Sequence, residues 1–209
     1  VLNIETLLAF AAATALFAYM PGPALLYTAA QTIARGRKAG FMAALGIHLG
    51  CYVHVFAAAF GLSAIFTVVP TLYFALKIVG GIYLVFLGVQ MIRTRMVAGS
   101  TPDLPQKTVR RAFVDSILVE VFNPKVAIFF IAFLPQFVSP DAGFPIWVQF
   151  LILGTFVNCA FTSADIVTVL FASEVKKRLT KSSKIQDLTR WLGGSLLVGL
   201  GLKLATDRA

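Results

Sequence analysis

Charged side chains are scarce in this sequence: they make up 13% of its 209 residues, against ~25% in an ordinary soluble domain. A water-facing surface cannot be built from so few, and a mean hydropathy of +0.85 points to an integral membrane protein. Acidic residues are scarcer still, nine against eighteen Lys and Arg. The net charge of +9 invites a nucleic-acid reading, but most basic residues sit in short loops between apolar runs, where the positive-inside rule puts them. No nucleic-acid partner is therefore expected. There is no GxxxxGK[ST] phosphate loop, and no polar segment is long enough to form a soluble domain around one, which argues against an ATP-driven pump in this chain. Cysteine is limited to Cys51 and Cys159, both inside apolar runs and in no CxxC or metal-type spacing. The first apolar run is too long for a cleavable signal and has no basic flank before it.

What remains is a series of long apolar runs, at about 6–34, 40–69, 72–92, 113–138, 144–173 and 188–205. A run of ~20 such residues crosses a ~30 Å hydrocarbon core as a helix. The loops after the first, third and fifth runs are basic: Arg35-Gly36-Arg37-Lys38, the polar connector 93–111, and the stretch from Lys176 to Lys184. The other two loops are not. The alternation predicts an all-α membrane protein of six spans, with loops one, three and five in the cytoplasm and both termini outside. Within the second run, Gly46 and Gly50 have the small-xxx-small spacing of a close helix contact. Lys77 opens the third run and is expected to snorkel to the surface.

Two runs are interrupted. Pro21-Gly22-Pro23 cannot continue a regular helix, and Pro23 suits the first position of a new helical segment. Asn123-Pro124-Lys125 interrupts the fourth run near its middle and puts an ammonium close to the bilayer centre. Such a charge costs ~2.5–3.5 kcal/mol on the insertion scale and marks a functional site by default. A broken helix carrying a charge is tolerated only where protein or water covers it. Two readings of Lys125 follow: it belongs to a substrate or ion site, or it pairs with a carboxylate such as Asp165 and holds the fold.

The chain also repeats itself. Lys77-Ile78-Val79-Gly80-Gly81, followed by Leu84-Val85 and Leu87-Gly88, matches Arg190-Trp191-Leu192-Gly193-Gly194, followed by Leu197-Val198 and Leu200-Gly201, at one constant offset. Gly22-Pro23 matches Asn123-Pro124 at a somewhat shorter offset, which a longer linkage in the second half accommodates. The expected organisation is one transporter domain over 1–209, with repeat one at about 1–92, a connector at 93–112 and repeat two at about 113–209. Three spans per half is an odd number, so the halves insert with opposite orientation. Inverted repeats with one broken helix each, here helices 1 and 4, are the pattern of secondary transporters, with the site near the midplane between the breaks.

At these residues the chain resembles the lysine-exporter (LysE) superfamily, and most closely its homoserine/threonine-exporter (RhtB) branch. The resemblance is carried by Pro21-Gly22-Pro23, Gly36-Arg37-Lys38-Ala39-Gly40, Leu76-Lys77 through Leu87-Gly88, Asn123-Pro124-Lys125 and Phe133-Leu134-Pro135-Gln136-Phe137. It implies export of amino acids or close derivatives from the bacterial cytoplasm across the inner membrane, driven by the proton gradient.

The residues expected to do this lie around the breaks. Gly22, Pro23, Tyr27, Asn123, Pro124 and Lys125 are the candidate substrate-binding positions. Half-helix N-termini and the Lys125 ammonium suit a carboxylate. Glu120 and Asp165, at similar depth below Lys125, are candidates to hold the substrate ammonium and exchange a proton, since a carboxyl shielded from water is disfavoured as its anion. His48 is a further candidate for proton coupling, although an intramembrane histidine more often joins helices by a hydrogen bond. Partners are then an amino acid, protons and the lipid bilayer, with no cofactor; a homodimer is left open. Two other classes compete. A divalent-cation exporter would use Glu120, Asp165 and the oxygens of Asn158 or Asn123, and a membrane thiol oxidoreductase would use Cys51 and Cys159.

Overall fold

The computed structural model of the chain describes residues 4–64 and 109–181 continuously, with side chains from 110 to 172 in the second stretch, and single helical positions between 78 and 93 and between 191 and 202. The described residues are almost wholly helical and contain no strand. In chain order they form α1 (Ile4–Tyr19), α2 (Pro23–Arg35), α3 (Arg37–Phe56), α4 (Val109–Val121), α5 (Pro124–Ile128) and α6 (Ile146–Lys181). A π-helical turn, Ala57–Leu62, prolongs α3. Another, Phe129–Phe133, and a 3-10 turn, Leu134–Phe137, prolong α5.

Three stretches are long and apolar enough to cross a membrane: Arg37–Leu62, Arg110–Phe137 and Ile146–Ala172. Taken together, α1 and α2 meet the same length and hydropathy requirement, bent by 47° at the break between them. The chain is an all-α membrane protein. Apart from those single helical positions, its third and sixth apolar runs, with Lys77, the connector and most of the glycine pattern behind the repeat, lie outside the described residues.

The local chemistry explains the joints. Gly36 has φ 82 and ψ 173, a region L side chains rarely adopt, so the expected basic loop between the first two runs shrinks to this single residue. The sequence predicts a loop at the basic stretch after the fifth run as well. Instead, α6 continues as helix to Lys181, past a kink at Phe171 (φ −116, ψ 21) that coincides with the end of the apolar stretch.

The hub is α3, which packs most extensively on α4 and also against α2 and α6. The Gly46/Gly50 spacing does what it predicts. A Cβ at Gly46 would meet the hydroxyl of Ser116 and lie 2.5 Å from the carbonyl oxygen of Phe113, and one at Gly50 would lie 2.8 Å from that of Ile117. Only glycine permits such an approach. The opposite side of α3 exposes Phe41, Leu45, Leu49, Val53, Phe56 and Phe60, an apolar stripe suited to lipid. Behind the second break, Phe129, Phe133 and Phe137 stack at one-turn spacing, with ring centroids 4.4 and 4.8 Å apart. Phe17 and Phe10 from α1 join this column at 4.4 Å from Phe129 and 4.9 Å from Phe137.

Candidate functional site

Each break begins with the backbone groups a proline cannot serve. In an unbroken helix the N–H of residue 21 would bond the carbonyl of Phe17, and that of residue 124 the carbonyl of Glu120. Both positions are proline, so both carbonyls lose that donor, and in a bilayer each must find another. Met20 N approaches Phe17 O at 3.3 Å, and Asn123 N donates to Glu120 O at 3.0 Å. The remaining capacity is filled from distant elements. Lys125 Nζ donates to Phe17 O at 2.8 Å and to Met20 O at 2.6 Å. His54 Nε2 lies 2.9 Å from Glu120 O; since a carbonyl only accepts, this nitrogen carries the proton.

The new half-helices start alike. Gly22 is the N-cap of α2 with Pro23 following, and Asn123 is the N-cap of α5 with Pro124 following. The caps differ in chemistry. Asn123 Oδ1 accepts from Lys125 N at 3.1 Å, whereas Gly22 provides no side-chain cap. What Gly22 provides is room, because a Cβ there would lie 2.7 Å from Lys125 Cδ. The lysine passes directly over the first break, and its ammonium lies 4.6 Å from the ring centroid of Phe17 and 5.9 Å from that of Phe161, within cation–π range.

Two carboxyls lie close by. Glu120 is 1% exposed and Asp165 3%. Asn123 Nδ2 donates to Glu120 Oε2 at 3.0 Å, and Thr28 Oγ1 donates to Asp165 Oδ1 at 3.0 Å. Glu120 Oε1 is buried without a hydrogen-bond partner. Among the described residues Lys125 forms no ion pair with either carboxyl; its two acceptors are backbone oxygens. Gly22, Glu120, Asn123, Lys125 and Asp165 line one cavity, with Phe161 and the first turn of α2. Its volume of about 20 Å³ has room for a water or two and not for an amino acid.

Other expected positions lie elsewhere. Tyr27 OH donates to Ala112 O at 3.3 Å, and Tyr27 does not line the cavity. His48 joins α3 to α6: its Nδ1 is 2.7 Å from Thr162 Oγ1, whose own proton goes to Asn158 O at 2.8 Å, so Nδ1 is the donor. Asn158 Nδ2 in turn donates to His48 O at 3.1 Å. Cys51 is buried and Cys159 exposed, and both are free thiols. No group of three His, Cys, Asp or Glu side chains comes together as a metal site among the described residues. Sequence reasoning did not single out Thr28, Phe17 or Phe161. Phe17 was within reach, because the carbonyl four residues before a proline is always short of a donor. His54, like His48, joins helices by a hydrogen bond as an intramembrane histidine is expected to, but its partner, a distant backbone atom, was not within reach.

Comparison with known proteins gives a consistent picture. The sequence profile of LysE type translocators matches residues 15–208. An uncharacterized membrane protein of Pseudomonas aeruginosa is 33% identical over 196 residues, covering 90% of this chain and 88% of that protein. The leucine efflux protein of Salmonella typhimurium is 27% identical over 191 residues (90% and 88%), and the threonine efflux protein of Salmonella typhi 29% over 196 residues (90% and 91%). No solved structure matches.

Proposed function

Because the chain belongs to the family of LysE type translocators, we propose that it exports a neutral amino acid from the bacterial cytoplasm across the inner membrane, in exchange for protons. The observation that carries this reading is the meeting of the two breaks: Lys125 reaches from α5 to the end of α1, in a cavity that also holds Glu120 and Asp165. One ammonium faces two carboxyls. If both are ionised, one negative charge is left uncompensated, which is costly away from water. Either a proton or the ammonium of a substrate removes it. Proton and substrate then compete for the same charge, and that competition is the coupling an antiporter requires.

In this scheme Lys125 leaves the α1 carbonyls to receive the substrate carboxylate, helped by the uncapped N-terminus of α2 at Gly22 and Pro23. Glu120 Oε1, which lacks a partner, and Asp165 receive the ammonium or the proton. Asn123 bridges the break between Glu120 and Lys125, its amide nitrogen bonded to the Glu120 carboxyl and its oxygen to the Lys125 N–H. The choice of a neutral substrate rests on the leucine and threonine efflux relatives and on a set of charges that an α-amino acid's own two groups would occupy. The joint at Gly36 and the basic end of α6 then face the cytoplasm, with two inverted halves behind that arrangement.

Inside-out vesicles test the proposal. Radiolabelled leucine, threonine and lysine are offered with and without a pH gradient, acid inside. Uptake of leucine or threonine that rises with the gradient is expected. Uptake of none of the three, or uptake indifferent to the gradient, would overturn the reading.

A further inference from the structure

The helix α2 turns its polar side inward. Its buried residues are Thr28, Ala30, Gln31 and Thr32, while Leu26 and Ile33 are exposed. Thr28, Gln31, Thr32 and Arg35 are spaced three and four apart and so form one stripe along the helix. Polar residues inside a membrane protein are rare, face the interior and mark ion and proton pathways.

The stripe is continuous with the cavity at one end. Thr28 Oγ1 donates to Asp165 Oδ1. One turn on, Thr32 Oγ1 gives its proton to Thr28 O at 2.7 Å, which leaves the hydroxyl oxygen as an acceptor. Gln31 is 1% exposed, and its Oε1 has no hydrogen-bond partner. Inside proteins such an atom is usually met by an ordered water. Opposite Thr32 stands Gly40 of α3, where a Cβ would strike the Thr32 hydroxyl, with Val169 of α6 beside it. At its other end the stripe reaches Arg35 and the joint at Gly36, beside Arg37, whose Nη2 donates to Leu170 O at 3.2 Å.

We propose that this stripe is a hydrated proton path between Asp165 and the membrane face that carries Arg35 and Arg37. It rests on the proton-exchange reading above. In the export cycle the Asp165 carboxyl gives up its proton into this path. Each water or hydroxyl along Thr28, Gln31 and Thr32 accepts one proton and passes one on, and the last is released to bulk water at the arginine end. The charged groups around that carboxylate are Glu120 from α4 and Lys125 from α5; Tyr27 and Asp115 lie beside the stripe, and Arg35 and Arg37 stand at its mouth. The path meets the cavity only at Asp165, so protons leave that carboxyl without crossing the substrate.

Two measurements test it, in a background lacking Cys51 and Cys159. First, Gln31→Cys and Ile33→Cys are exposed to a charged, membrane-impermeant methanethiosulfonate in vesicles of both orientations. Gln31→Cys should react from the Arg37 face only, and Ile33→Cys, on the lipid side, from neither. Equal reactivity of the two, or reaction of Gln31→Cys from the opposite face, would overturn the path. Second, Gln31→Leu should slow export driven by a pH gradient about tenfold while leaving leucine or threonine counterflow at equal pH close to that of the background. A normal response to the gradient in Gln31→Leu, or equal loss of both activities, would overturn it. If the background itself ignores the gradient, the exchange reading fails, and the labelling result still reports whether the stripe is wet.

Discussion

Gly22 and Lys125 meet across the two helix breaks, so closely that a Cβ on the glycine would lie 2.7 Å from Cδ of the lysine. The backbone at Gly22, φ −142 and ψ 178, suits any residue, so the lysine and not the conformation demands glycine there. Gly22→Ala should therefore push Lys125 off the carbonyls of Phe17 and Met20. Overpacking of this kind costs about 1–3 kcal/mol, and export should fall with it. In a Lys125→Ala background the same substitution should cost little. Thermal unfolding of the four proteins in detergent gives the coupling between the two sites.

The contact of α3 with α4 yields a graded prediction. Gly46→Ala meets a backbone carbonyl that cannot rotate away, and should lower stability by about 1–3 kcal/mol. Gly61→Ala, in the π-helical turn, meets nothing within 4 Å and should be neutral or slightly stabilising. Denaturation midpoints of the two variants should differ in that order.

His54 supplies a donor to the carbonyl of Glu120 beside Pro124. His54→Leu should lower stability by about 1 kcal/mol, the usual net worth of such a bond. His54→Gln, whose amide can still donate, should recover part of it. Export per folded molecule should be nearly unchanged in both. A large loss of export in the stable His54→Gln variant would give the histidine a part in coupling.

Cys51 is enclosed in α3 and Cys159 faces outward. Replacing both by Ala should leave export close to normal and insensitive to reductant. Loss of activity, or a disulfide between them in the native protein, would revive a thiol-redox function.

The breaks, the glycine contact and the gathering of Gly22, Glu120, Asn123, Lys125 and Asp165 were all legible in the sequence. Proline stops helices wherever it occurs, and an intramembrane charge has few places to go. The partner of Lys125 was not legible. Asp165 was the natural candidate for an ion pair, yet the acceptors are two backbone oxygens, and a sequence displays side chains and not freed carbonyls. The loop expected at Lys176 is helix, because charge marks the membrane boundary without ending a helix. Thr28, Gln31 and Thr32 passed unnoticed because a few hydroxyls and one amide barely lower the hydropathy of a long run, and only packing shows that they share the buried side.

The central claim is that Lys125 handles the substrate and does not merely close the end of α1. The direct test is the export rate per folded molecule of Lys125→Met, with folding measured by monodisperse elution and thermal unfolding. Removing a midplane charge lowers the insertion cost, so the variant should reach the membrane, with some stability lost where Phe17 O and Met20 O go unpaired. The account predicts export at background level from protein that is folded. Export near the wild-type rate per folded molecule would reduce Lys125 to a cap on a broken helix and contradict the mechanism.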